Sequence, residues 1–131
     1  MTSTACVELK DLRLNTQIGT YAPGATVPDQ HLLNLTLWIN PKLILISEDL
    51  MERVFDYDPL ILEIDRLAAD GHYETQERLV TRIVEACARY SKIESLEISL
   101  RKTPVRESSG VLGIKLYLDE SSLASMRTTL A

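Results

Sequence analysis

Two side chains stand out for the chemistry their positions allow. Counting by two from Leu96 through Ile98 and Leu100 puts Lys102 on the apolar side of a strand, immediately before Thr103-Pro104. Such a lysine either lies past the last paired residue and snorkels to water, or it is a partly desolvated amine in a cleft, suited to moving protons near neutral pH. Glu77 lies in Glu74-Thr75-Gln76-Glu77-Arg78, at the start of a helix, where the macrodipole favours a carboxylate whatever its function. His31 and His72 show neither HxH nor HExxH spacing, so no metal site is expected. Cys6 and Cys87 lack CxxC spacing and read as small buried hydrophobes in a reducing compartment. Gly-rich phosphate loops and GxSxG elbows are absent from the sequence.

The composition limits what these residues can serve. A chain of 131 residues with 45% apolar and 25% charged residues has the size and balance of one globular domain. Aromatic residues are only 5%, so the core must be built from Leu, Ile and Val. A net charge of -5 argues against a nucleic-acid backbone or an anionic membrane as principal partner, and points to a small molecule or another protein. Apolar runs such as Leu43 to Ile46 fall far short of the ~20 residues a spanning helix needs, and no signal-peptide pattern opens the chain, so the expected location is the cytoplasm.

The elements that must position Lys102 and Glu77 follow from periodicity. Val7 to Asn15 alternates with a slip at Asp11, which predicts a long first strand with a bulge or bend. A turn-rich loop from Ala22 to Asp29 leads into the cleanest alternation of the chain, with Leu33, Leu35, Leu37 and Ile39 on one face. Ser47-Glu48-Asp49-Leu50 predicts a short capped helix, and Pro59 with Leu60, Ile61, Ile64 and Leu67 a second that Gly71 stops. Leu79, Val80, Ile83, Val84, Cys87 and Tyr90 form the stripe of a third, followed by strands over Leu96–Leu100 and Ile114–Leu118. This order predicts an α+β domain over residues 1–120, with helices on one face of an antiparallel sheet and a flexible tail over 121–131. Trp38 and Tyr117, opposite the leucines of their strands, suggest a partner surface.

Segments spread along the chain carry a resemblance. Leu12 to Tyr21, Phe55-Asp56-Tyr57, Thr75-Gln76-Glu77-Arg78-Leu79 and Ile98 to Pro104 resemble, in order and spacing, the dihydroneopterin aldolase family, which includes dihydroneopterin triphosphate epimerases. The resemblance implies the tunnelling fold: a four-stranded antiparallel sheet with helices on one face, joined into an oligomeric barrel. A homotetramer or homo-octamer with sites between subunits is then expected. It implies retro-aldol release of glycolaldehyde from 7,8-dihydroneopterin, side-chain epimerisation, or both, without metal or cofactor, because the dihydropterin ring itself accepts the electron pair. Glu77 matches the family's pterin-anchoring glutamate, with Thr75 and Gln76 as its substrate-binding neighbours. Lys102 matches the proton-transferring lysine, and Tyr57 the tyrosine that relays a proton.

The sequence departs from the family at one place. Five residues past Gly19 the family usually carries a loop glutamate that orders water and supports the lysine; here that position is Gly24, with Ala25 the only near alternative in a loop one residue longer, and neither has a carboxylate. Asp29 is the sole acid in the loop and the candidate to compensate. Two alternatives to an active enzyme follow, a pterin-binding protein with weak or no aldolase activity and a ring-forming structural protein.

Overall fold

The computed structural model describes residues 3–131, so the first two residues of the domain expected over 1–120 lie outside them. In chain order the elements are β1 (Ala5–Arg13), β2 (Gln17–Ile18), β3 (Gln30–Ile39), α1 (Asp58–Ala68), β4 (His72–Tyr73), α2 (Gln76–Ala88), β5 (Ser95–Thr103), β6 (Leu112–Leu118) and α3 (Glu120–Leu130). Strands β1, β3, β5 and β6 form one antiparallel sheet in the order β1-β3-β5-β6. The α+β class and the four-stranded sheet are therefore as expected. Strands β2 and β4 pair separately, in parallel.

The alternation of β3 sorts the sheet into two faces. Leu33, Leu35, Leu37 and Ile39 are buried with Leu96, Ile98 and Leu100 of β5, in one core with Leu60, Ile64 and Leu67 of α1 and Leu79, Ile83 and Cys87 of α2. The other face is polar, a shallow depression lined by Glu8, Lys10, Asn34, Thr36, Glu97, Ser99 and Lys115. Trp38 and Tyr117 meet edge to face there, ring centres 5.7 Å apart.

The slip at Asp11 is a bulge: the β1–β3 register shifts between Leu9 and Leu12, and Asp11 takes a φ of 55°. A non-glycine residue seldom adopts that conformation without compensation. Here the Asp11 N–H donates to Asn34 Oδ1 at 3.1 Å, and the Arg101 guanidinium reaches both Asp11 and Asn34.

Two expectations are corrected. No regular helix forms from Ser47: there is only a single 3-10 turn over Met51–Arg53, preceded by a 3-10 turn over Pro41–Leu43. Glu48 pairs with Arg53 at 2.9 Å instead of stabilising a helix start, and Ile44, Leu45, Leu50 and Met51 stay exposed, so no apolar stripe holds a helix there. The tail over 121–131 is likewise not a loose end. It forms α3, capped by the Asp119 carboxylate accepting from Ser122 N at 2.8 Å and anchored by the fully buried Leu123. Arg127 donates to the carbonyls of Ala88 (2.7 Å), Tyr90 (2.8 Å) and Ile93, at and beyond the C-terminus of α2. Those carbonyls lack helical partners, and a cation is favoured there. Among the described residues no helix is long and apolar enough to cross a membrane.

Candidate functional site

The sheet's polar secret lies at one end of β3 and β5. Lys102 continues the row of Leu96, Ile98 and Leu100, as the alternation predicts, and its register partner is His31 of β3. His31 occupies the same row as Leu33 and Leu35 and is only 6% exposed, yet its Nε2 has no hydrogen-bond partner. Burial, and secondarily the Lys102 charge, hold the His31 pKa below its ordinary value. Lys102 Nζ lies 6.0 Å from the ring centre of Tyr21, at the outer range of a cation–π contact.

Backbone pairing brings the start of α2 to the same end of the molecule. Leu14 N donates to His31 O at 2.8 Å; three residues later Gln17 pairs with His72, and Gly19 N donates to Tyr73 O at 2.7 Å. Thr20 Oγ1 donates to the Glu74 carboxylate at 3.0 Å, closing the clamp just before α2. Thr75 caps that helix, its Oγ1 accepting from Arg78 N at 3.2 Å. Gln76 is buried with an unpartnered Nε2, and Glu77 is exposed in the first turn. Among the described residues the Glu77 carboxylate makes no hydrogen bond or ion pair, so all its acceptor capacity is open to solvent or ligand.

The loop between β2 and β3 offers no carboxylate at the expected place. Gly24 takes a φ of 84° in a turn closed by Ala25 N donating to Ala22 O at 3.0 Å, and a Cβ there would meet nothing within 4 Å. Backbone conformation, not crowding, is what disfavours a side chain. Asp29 is exposed; its N–H donates to Thr103 O at 3.1 Å, which ties it beside the end of β5 that carries Lys102.

Tyr57 is placed elsewhere. It precedes α1, is 46% exposed, and lines a cavity of about 420 Å³ with Val7, Ile39, Phe55 and Met51, and a neighbouring groove with Leu35 and Leu37. At roughly 3.3 Å per residue, Leu35 to Ile39 lie from about 13 to about 26 Å along β3 from His31. Within one chain, then, Lys102, Asp29 and the start of α2 share an end, and Tyr57 does not join them. Metal-ligand spacing gives His31 no role, whereas counting back by two from Leu33 places it in the apolar row of β3.

Among the described residues no group of three or more His, Cys, Asp or Glu could hold a metal ion. No curated protein sequence matches the chain significantly. Among solved structures, a dihydroneopterin aldolase from Burkholderia bound to guanine superposes with a TM-score of 0.72 at 20% identity, over 87% of this chain and 89% of its own. The Escherichia coli dihydroneopterin aldolase in complex with neopterin also gives a TM-score of 0.72, at 17% identity, over 86% of this chain and 97% of its own. This likeness establishes the tunnelling fold of the single chain, a four-stranded antiparallel sheet with helices on one face. The family model for dihydroneopterin aldolase matches residues 7–116, and the chain therefore belongs to the dihydroneopterin aldolase family.

Proposed function

We propose that the protein processes a dihydropterin, by retro-aldol cleavage of the 7,8-dihydroneopterin side chain, by its epimerisation, or by both. What supports this reading is that Lys102 lies across from His31 near the end of β5, while the β2–β4 pair and the Thr20–Glu74 contact tie the start of α2, with its unpaired Glu77 carboxylate, back toward that end of the fold. In this reading Glu77 takes two parallel N–H bonds from the 2-amino and ring N–H edge of the pterin, a directional charge-assisted contact. A base takes the side-chain hydroxyl proton, the carbon–carbon bond breaks to release glycolaldehyde, and its electron pair passes into the dihydropterin ring. Reprotonation of the ring-side carbon completes the product, with Lys102 moving the protons. The known structures bound to guanine and neopterin support a flat, amide-edged ligand for this fold. Incubation with 7,8-dihydroneopterin and with its triphosphate, resolved by chromatography, should yield 6-hydroxymethyl-7,8-dihydropterin or an epimer. Unchanged substrate with no bound pterin refutes the reading.

Gly24 favours a second reading, a pterin-binding protein with weak or no aldolase activity, because the position where the family carries its loop glutamate has no side chain. Slow wild-type turnover that rises in Ala25→Glu or Gly24→Glu supports it. Fast wild-type turnover lost only in Asp29→Ala instead makes Asp29 the compensating acid.

A further inference from the structure

His31 has no role in the chemistry described so far, and its situation is costly. A buried imidazole nitrogen without a partner has lost its water and gained no hydrogen bond in exchange. Leucines fill the same row of β3 from Leu33 onward, and a leucine at position 31 would avoid that penalty. The residue directly across the antiparallel ladder is Lys102. Directly opposed residues on one face have Cβ atoms about 4.5–5.5 Å apart, within the sweep of a four-carbon lysine stem.

We propose that His31 is a positioning residue for Lys102: its Nε2 accepts a hydrogen bond from the Lys102 ammonium and holds that group toward the bound pterin. Two features fit this assignment. The imidazole stays neutral near pH 7, because burial and then the adjacent Lys102 charge disfavour the imidazolium, so one ring nitrogen keeps a lone pair. Tyr21 borders the amine from the loop side without offering a carboxylate, and Asp29 makes no ion pair with it among the described residues. An acceptor for Lys102 on this chain is thus supplied by the strand opposite it rather than by the loop. The assignment rests on the dihydropterin reading only for what the amine is held toward; the imidazole–amine pair stands on the register and the orphaned nitrogen.

The test has two arms. His31→Leu keeps the volume and removes the buried polar atom, so the fold should be retained. Its kcat on 7,8-dihydroneopterin should fall about 10- to 100-fold, the scale of a slightly misplaced catalytic group, with pterin affinity within about threefold. His31→Gln, which restores an acceptor, should regain part of the rate. An unchanged kcat in His31→Leu, in an active wild type, overturns the proposal. The second arm needs no turnover: nitrogen-15 NMR of the imidazole should show Nε2 unprotonated at pH 7.5, and its titration midpoint should rise in Lys102→Met. A protonated Nε2, or a spectrum indifferent to Lys102→Met, also overturns it. An inactive wild type with the coupled imidazole would refute the dihydropterin reading and leave the pair intact.

Discussion

Glu77 and Lys102 should separate binding from chemistry. Among the described residues the Glu77 carboxylate has no protein partner, so Glu77→Ala should leave the fold intact and remove ligand hydrogen bonds worth about 1.5–3 kcal/mol each where charge-assisted. Loss of measurable pterin binding by calorimetric titration is expected; retained affinity would exclude Glu77 as the anchor. Lys102→Ala should keep affinity within about tenfold and cut turnover by ~100-fold or more, the scale of a lost general acid or base. A comparable rate in that variant would exclude Lys102 as the proton carrier. The two cysteines make a control on the core: burial pushes the Cys87 thiol up to about 12, so it carries almost no thiolate at pH 8. Disulfide-exchange reagents should therefore miss Cys87 in the native protein and modify it once urea unfolds the chain. Both candidate residues were legible because each breaks a local pattern or fits a family segment. His31 was not, since a histidine in a leucine row acquires meaning only when the ladder sets Lys102 against it.

Among the elements, long strands and the α1 and α2 stripes were legible because periodicity over seven or more residues outweighs local noise. The parallel β2–β4 pair was not: two residues have no period, and what holds them is tertiary, the Gly19 N bond to Tyr73 O and the Thr20–Glu74 contact. Nor was α3, whose Ser, Thr and Ala composition hides a sparse stripe of Leu123, Met126 and Leu130. A helix so poor in apolar residues is held by a few contacts, and these make a sharp prediction. Leu123→Ala should cost about 2–5 kcal/mol, as for other fully buried leucines. Arg127→Ala, which removes the guanidinium bonds to the carbonyls of Ala88, Tyr90 and Ile93 and leaves Tyr90 O with its bond from Ile93 N, should cost about 2–3 kcal/mol. Both are read as a drop in the urea midpoint at constant slope. Midpoints unchanged in both variants would mean that α3 does not dock in solution.

At the scale of the whole molecule, one chain divides the proposed chemistry between two places. Lys102 and the start of α2 share one end, while Tyr57 lines cavities beside Leu35, Leu37 and Ile39. The sheet also has two open edges: β1, flanking the Tyr57 groove, and β6, where Leu112 and Leu116 stand exposed. Free edges of this kind invite pairing with another copy, and closure into a ring would remove them. The expected state in solution is a homotetramer or homo-octamer, and a clean monomer by light scattering at micromolar concentration would contradict it. A stronger test asks whether Tyr57 of one subunit serves Lys102 of another. Tyr57→Ala and Lys102→Ala should each be inactive alone. When equal amounts are unfolded together and refolded, a site drawing Tyr57 and Lys102 from different chains is intact whenever each chain contributes its unmutated residue. Random assembly then restores about a quarter of wild-type activity per site. If both residues had to come from one chain, no mixed oligomer would contain an intact site, and the mixture would stay as inactive as its parts.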